Sequence, residues 1–189
     1  MFKITKAKDT DFPSLLKCLR RVDAGLLLEG LDMWDHGYPS EEDFRSNWEL
    51  GTLFVVKEGI RVIASVSIET DVAAAFFPES HSLRKEADLL ERIGYQGEPF
   101  IILSRFFVDP AYQGKGVGKM LLRAIESRYP DATFLLTVYE KNKGAKAFYE
   151  RLGYQDFGRD FEFEFGDYSD EYLLAKPLQK HGLCREKPW

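Results

Sequence analysis

The sequence is poor in residues that carry disulfide, thiol or metal chemistry. Its only two cysteines, Cys18 and Cys184, are far apart and form neither a C-x-x-C pair nor a metal-ligand spacing. One histidine, His36, lies beside Asp32 and Asp35, but this spacing matches no metal motif. We therefore expect reduced, non-catalytic cysteines and no metal site.

Long apolar segments and an excess of positive charge are also absent. No apolar run approaches the roughly 20 residues that span a bilayer, and the N-terminal residues lack the apolar region of a secretory signal. The formal charge of -5 argues against a nucleic-acid partner and weakly favours a cationic substrate. With 44% apolar residues, one domain over residues 1–189 is expected, cytoplasmic and without a membrane partner.

Residues 108–122 form the most informative segment, because an apolar strand pattern runs through a glycine-rich loop directly into a helix pattern. Gly114, Gly116 and Gly118 keep side chains away from a ligand and tolerate positive φ, so several N–H groups can point into one concavity. The helix start adds unpaired N–H donors and a positive dipole end, and two neighbouring lysines add formal charge. This pattern predicts a phosphate-binding loop.

The glycine spacing distinguishes three kinds of phosphate-binding loop. A Walker loop needs a glycine five positions before the Gly-Lys pair and a hydroxyl after it, but Gln113 and Met120 occupy those positions. A dinucleotide-binding loop needs G-x-G-x-x-G after the first strand, whereas this loop reads G-x-G-x-G past the middle of the chain. The remaining pattern, Q-x-x-G-x-G starting at Gln113, resembles the acetyl-coenzyme A loop of the GNAT superfamily of N-acetyltransferases.

A second segment extends the resemblance. Residues 145–154 read A-K-A-F-Y-E-R-L-G-Y, which is similar to the family signature A-x-x-F-Y-x-x-x-G-F/Y, on a helix that Asn142 is expected to cap. Phe148 and Tyr149 lie on the apolar face of this helix. The resemblance implies that Tyr149 protonates the departing thiolate; a tyrosine that only packs in the core is the alternative.

The resemblance implies acetyl-coenzyme A as the cofactor, with coenzyme A as the product. The backbone of residues 106–108 would pair with the pantetheine amides and direct an N–H group at the thioester carbonyl. The implied cofactor-binding residues are Phe106, Phe107, Val108, Gln113, Gly114, Lys115, Gly116, Val117, Gly118, Lys119, Asn142, Phe148 and Tyr149.

The order of predicted elements, β-α-α-β-β-β-α-β-α-β-β, is that of the GNAT acyltransferase fold, a mixed α/β fold with a central mixed sheet flanked by helices. Helices are predicted after caps at Thr10, Ser40 and Asn142 and after the glycine-rich loop. Apolar and alternating patterns predict strands over residues 2–7, 52–57, 61–68, 100–108, 133–138, 161–165 and 168–178.

One departure from the family is the long connection of residues 69–99 between the third and fourth strands. Residues 82–93 have apolar residues at helical spacing, and Gly94 ends this pattern. Three interpretations are open: a lid over the acceptor, a contact in a homodimer, and a passive surface helix. Residues 179–189 form a C-terminal tail.

The acceptor is expected to bind at residues 28–40, which resemble the I-D-x-W-x-x-G-Y-P segment of one bacterial group of GNAT proteins. Trp34 and Tyr38 offer aromatic faces to an ammonium or an apolar acceptor, and Glu29 offers negative charge. A Trp34 side chain that only anchors the loop to the core is the alternative.

The resemblance also implies direct attack by an amine on the thioester, without a covalent acyl-enzyme. Many family members carry a glutamate as general base on the fourth strand, where this chain has Ser104 and Arg105. Glu98, Glu29 and a water relayed through Ser104 are the candidates that remain. The predicted function is acetyl transfer to a primary amine of an unidentified small-molecule or peptide acceptor. A non-catalytic acyl-coenzyme A sensor and an interaction protein that uses the insertion are the alternatives.

Overall fold

The computed structural model describes residues 2–32, 34, 38–77, 80, 82–159 and 171–178, and these residues form one mixed sheet with flanking helices. The strands are β1 (Phe2–Lys6), β2 (Leu53–Glu58), β3 (Arg61–Glu69), β4 (Phe100–Val108), β5 (Thr133–Tyr139), β6 (Gln155–Asp156) and β7 (Glu171–Lys176). The helices are α1 (Phe12–Leu28), α2 (Glu41–Glu49), α3 (Val72–Phe76), α4 (Leu83–Arg92), α5 (Val117–Arg128) and α6 (Lys143–Arg151).

The sheet opens between its two central strands. The strand order is β1-β2-β3-β4-β5-β7-β6, and only the neighbours β4 and β5 are parallel. The parallel pairing joins three residues of each strand and ends at Ile102 of β4 and Leu135 of β5. Beyond this point β4 is still paired with β3, and β5 is still paired with β7. A gap therefore separates the C-terminal halves of β4 and β5.

Helices cover both faces of the sheet. On one face, α5 packs into the main core through residues such as Leu121, together with side chains of α6. On the other face, α1 and α2 cover β2 and β3 through Leu15 and Phe44. The insertion helices α3 and α4 cover β5 and β7 on that same face through Phe76 and Leu89. The gap thus lies between helical layers that restrict access from both sides.

The fold class predicted from the sequence is confirmed, and the elements from β1 to α6 follow in the predicted order, with α3 and α4 of the insertion between β3 and β4. Helix α1 begins after a 3-10 turn over Asp9–Asp11 rather than after a cap at Thr10, because the Asp11 carboxylate accepts the Lys8 N–H at 2.9 Å. The apolar residues at the start of the insertion form α3, and β6 is a short edge strand that the sequence pattern did not predict. The strand predicted over residues 161–165 and the tail at 179–189 lie outside the described residues.

Within the part of the chain that the structure describes, no helix is both long enough and apolar enough to cross a membrane.

Candidate active site

The glycine-rich loop between β4 and α5 has the geometry of an anion cradle. Gly114 and Gly116 have φ values of 70° and 78°, and a Cβ atom added at either would meet no atom within 4 Å. Gly116 is the N-cap of α5, and its carbonyl accepts the Met120 N–H at 2.9 Å. The N–H groups of Val117, Gly118 and Lys119 precede this first helical bond, so they have no partner within the helix. The loop therefore presents donors and open space together.

Gly118 has a different role from the other two glycines. A Cβ atom at this position would lie 3.3 Å from Val108 Cγ2, which is tighter than most Cβ contacts, and 3.4 Å from Phe148 Cζ, at the lower limit of ordinary contact. The missing side chain lets the first turn of α5 approach the end of β4 and the middle of α6. Gly118 thereby joins the cradle to the helix that carries Tyr149.

Asp109 fixes the entry to the cradle. Its carboxylate is 1% exposed and accepts hydrogen bonds from Arg21 and Arg61, with the Arg21 Nη2 at 2.7 Å and the Arg61 Nη2 at 2.8 Å. It also accepts the Ala111 N–H at 3.1 Å. Burial alone would raise the pKa of Asp109, but the bonds from Arg21, Ala111 and Arg61 outweigh it and hold this pKa below its ordinary value. One carboxylate thus ties α1, β3 and the loop together.

A cavity of about 650 Å³ occupies the gap between the central strands. Residues 102–106 of β4 and 136–139 of β5 form two of its walls, and Tyr149 of α6 lies on a third. Residues 74–76 of the insertion close it on another side. The start of the insertion therefore contributes a wall to the cavity, and the three interpretations of its role stay predictions.

Tyr149 is held at the cavity by other aromatic rings. Its ring centroid lies 5.1 Å from that of Phe148, 5.5 Å from that of Tyr154 and 5.9 Å from that of Phe106. Burial raises the pKa of Tyr149, so the phenol stays protonated at neutral pH. Asn142 caps α6 by accepting the Ala145 N–H at 3.0 Å and also lines the cavity. The Tyr149 phenol thus lies at the cavity in its protonated form, and its role as a proton donor stays a prediction.

Arg105 follows Ser104 on β4, in the part of the strand where many family members carry a glutamate. Its φ of 47° is rare for a residue with a side chain and costs about 1–2 kcal/mol. Its guanidinium donates to Glu69 Oε1 at 2.6 Å, to Ser67 Oγ at 3.3 Å and to Tyr38 Oη at 3.3 Å. It also donates to Asn47 Oδ1. This network holds Arg105 in its strained conformation and uses its donors within the protein.

The predicted base residues occupy three different environments. The Ser104 hydroxyl lines the cavity and donates to Glu69 Oε1 at 2.7 Å. Glu98 precedes β4 and is six residues from Ser104, which corresponds to about 20 Å along an extended strand. The Glu98 Oε1 accepts a hydrogen bond from the Thr133 hydroxyl at 2.7 Å. Glu29 is exposed at the end of α1. Neither Glu98 nor Glu29 is among the residues that line the cavity, because both lie beyond the gap between the strands.

The other predicted site residues divide between the cavity and the core. Trp34 and Tyr38 line the cavity, and Trp34 packs edge-on against Phe107, with 6.0 Å between ring centroids. Phe106 also lines the cavity, whereas Phe107 is buried beneath α1 and α2. Lys115 and Lys119 are exposed beside the cradle. Asp35 and His36 lie outside the described residues. The assignment of these side chains to cofactor or acceptor stays a prediction.

Sequence reasoning missed three acidic residues of the cavity, Asp43 in the first turn of α2 and the strand residues Glu69 and Glu171. Glu69 ends β3 opposite Ile102, and Glu171 begins β7 opposite Tyr139. Acidic residues are common at the ends of strands, so the local sequence does not mark either glutamate as a cavity residue. The one clue to Glu171 was the strand order of the family, which brings the last strands beside β5.

Comparison with known proteins agrees with this geometry. Residues 26–154, more than half of the chain, match the Acetyltransferase (GNAT) family. The spermine/spermidine N(1)-acetyltransferase of Bacillus subtilis is 36% identical over 80 residues, which are 40% of this chain and 49% of that protein. The chain thus spans about half the length of this curated relative.

Solved structures show the same fold. An acetyltransferase of the GNAT family from Streptococcus agalactiae superposes with a TM-score of 0.73 at 17% identity, covering 95% of this chain and 96% of the other. The PaiA N-acetyltransferase of Thermoplasma acidophilum, solved in complex with coenzyme A, has a TM-score of 0.64 at 14% identity and covers 93% and 98%. The family match, the common fold and the cradle beside the open strand pair together show that the chain belongs to the GNAT acetyltransferase family.

Proposed function

We propose that this protein transfers an acetyl group from acetyl-coenzyme A directly to a primary amine. The observation that carries the proposal is the continuity of one site. The cradle at the start of α5 and the proton donor Tyr149 are linked through Gly118, and Tyr149 lines the cavity between β4 and β5. The anion-binding loop suits the phosphates of a thioester such as acetyl-coenzyme A. The neutral phenol, at the gap between β4 and β5, suits the thiolate leaving group of the same molecule.

The cradle fits the phosphates of coenzyme A on its own geometry. Gly114 and Gly116 leave open space, and the free N–H groups at the start of α5 supply donors. Lys115 and Lys119 would add positive charge from the solvent side. When bound, acetyl-coenzyme A supplies an activated acetyl thioester. The chain supplies the binding loop and holds a proton on Tyr149 Oη for the departing sulfur.

The charge of the cavity supports a cationic acceptor. Asp43, Glu69 and Glu171 contribute three negative groups, and Arg105 contributes one positive group, so the net charge is −2 when all are ionised. An ammonium group would be attracted to this cavity and oriented by the faces of Trp34 and Tyr38. Spermine and spermidine, the acceptors in the name of the Bacillus subtilis relative, are amines of this charge type.

The test is the release of coenzyme A from acetyl-coenzyme A in the presence of a panel of amines. The panel contains spermidine, a lysine-containing peptide, a peptide with a free N-terminus, and a matched alcohol in place of each amine. We expect amine-dependent release, an N-acetylated product by mass spectrometry, and no turnover of the alcohols. Tight binding of coenzyme A without turnover of any amine would contradict the proposal and favour a non-catalytic acyl-coenzyme A sensor.

A further inference from the structure

Glu171 lies at a position from which it can reach the reacting end of the cavity. It is the first residue of β7 and is directly opposite Tyr139, the last residue of β5, in the antiparallel register. Its side chain is partly buried and lines the same cavity as Tyr149. The Thr137 hydroxyl, from the neighbouring strand β5, lines the same cavity and lowers the pKa of this carboxyl. A carboxylate has about four lone-pair sites, so Glu171 has acceptor capacity for a substrate proton.

The other two carboxylates of the cavity are committed to structural bonds. Asp43 accepts both the N–H and the hydroxyl of Ser40 at 2.7 Å, as the capping partner at the start of α2. Glu69 accepts from Arg105 and from Ser104 through the same oxygen. Both carboxylates therefore already have hydrogen-bond partners within the protein. Among the described residues, no lysine or arginine pairs with Glu171.

Burial and a neighbouring hydroxyl set the electrostatic environment of Glu171. Burial raises the pKa of its carboxyl, and the Thr137 hydroxyl offsets part of that rise. The other charged or titratable groups that line the cavity are Tyr139 of β5, Tyr149 of α6, Arg105 of β4, Glu69 of β3, Asp43 of α2 and Tyr38. A general base is most effective when its pKa lies close to the working pH. The raised pKa of Glu171 is a shift in the direction that suits a general base.

We propose that Glu171 is the general base that takes the proton from the acceptor ammonium. The proposal rests on the acetyl-transfer function given above. Glu171 removes one proton from R–NH₃⁺, after which the nitrogen forms the C–N bond as the C–S bond breaks. Tyr149 gives its phenol proton to the sulfur and recovers one from the new amide nitrogen. Glu171 finally releases its proton to solvent, so one proton leaves for each amine acetylated.

The pH profile of kcat/KM for the amine tests this assignment. In the parent protein, kcat/KM should rise with pH through the ionisation of Glu171 and then level off. Glu171→Gln keeps the shape of the side chain and removes the base, so we expect a loss of about 100-fold or more at neutral pH. The rise should then continue towards the pKa of the free amine. Glu91→Gln, the same chemical change on the exposed surface of α4, is the matched control and should keep the parent profile.

Two further measurements separate a base from a folding or binding role. Coenzyme A affinity should be unchanged in Glu171→Gln, and formate should partly restore turnover in Glu171→Ala. Thr137→Val removes the hydroxyl that lowers the pKa of Glu171, so the acidic limb of the profile should move to higher pH. This second variant keeps the proposal testable if substitutions at Glu171 prevent folding.

The outcomes distinguish this proposal from the function on which it rests. Absence of amine-dependent turnover in the parent protein would refute acetyl transfer itself. Parent turnover with an unchanged pH profile in both Glu171→Gln and Thr137→Val would refute only the role of Glu171. A higher amine KM with unchanged kcat and an unchanged profile would also overturn it, because Glu171 would then merely bind the ammonium.

Discussion

The substitution Gly116→Ala separates ligand binding from backbone strain at the cradle. Gly116 has φ of 78° and open space around its missing Cβ atom, so an alanine would clash with no protein atom. Its methyl group would instead occupy open space at the N-cap of α5, the end of the helix where the cradle is proposed to hold a phosphate. Gly94, after α4, is a matched control, with φ of 73° and no atom within 4 Å of an added Cβ.

The magnitudes follow from the two environments. A non-glycine residue in the left-handed region costs about 1–2 kcal/mol, so Gly116→Ala and Gly94→Ala should lose similar amounts of unfolding free energy. Displacing a phosphate oxygen from one charge-assisted hydrogen bond costs about 1.5–3 kcal/mol. That range corresponds to a loss of about 10- to 150-fold in coenzyme A affinity. Only Gly116→Ala should show this loss.

Urea denaturation and calorimetric titration with coenzyme A measure the two effects separately. The expected result is an equal shift of the denaturation midpoint in both variants and a weaker Kd in Gly116→Ala alone. Equal coenzyme A affinity in the two variants would refute the position of the phosphate site. A loss of affinity in Gly94→Ala would show that stability, and not the cradle, controls binding.

Three other predictions address the donor, the acceptor and the loop anchor. Tyr149→Phe should keep coenzyme A affinity and lose about 10- to 1000-fold in kcat with chemistry rate-limiting; unchanged kcat would leave the ring with a packing role alone. Trp34→Ala should raise the KM of a cationic amine through loss of a contact of roughly 1–2 kcal/mol, and an equal effect on an isosteric neutral acceptor would remove the cation–π argument. The pKa of Asp109 is lower in the folded protein than its ordinary 3.8, so its stabilisation is present above that pH and is lost as the pH falls through the folded value. Asp109→Asn should therefore lose about 1–3 kcal/mol at pH 7, measured by urea denaturation, and have a smaller loss of stability on acidification; a slope equal to the parent's would contradict this reasoning.

The parts of the site that the sequence predicts are those encoded within one short segment. The cradle depends on Gly114, Gly116 and the helix that begins at Val117, all within a few residues. Helical spacing placed Tyr149 on the apolar face of its helix, and the resemblance of residues 145–154 to the family signature implied its catalytic role. Such features follow from backbone freedom and helical periodicity, which local sequence controls.

The acidic side of the cavity could not be predicted in this way. The network around Arg105 joins β4 to Asn47 of α2 and Glu69 of β3, which are 58 and 36 positions away in the chain. Glu171 reaches the cavity only because β7 pairs with β5. These contacts depend on how strands that are distant in the sequence pair with each other. The sequence alone therefore pointed to Glu98, which is close to β4 in the chain, and to Glu29, which lies in the predicted acceptor segment. Neither residue lines the cavity.

The fate of the acetyl group is the most direct test of the account. The protein is incubated with acetyl-coenzyme A labelled in the acetyl group, first alone and then with an amine that the panel identifies as a substrate. Direct transfer predicts no label on the denatured protein in the first case, and label on the amine nitrogen equal to the coenzyme A released in the second. Label retained on the protein before the amine is added, and passed on afterwards, would contradict direct attack in the cavity between β4 and β5.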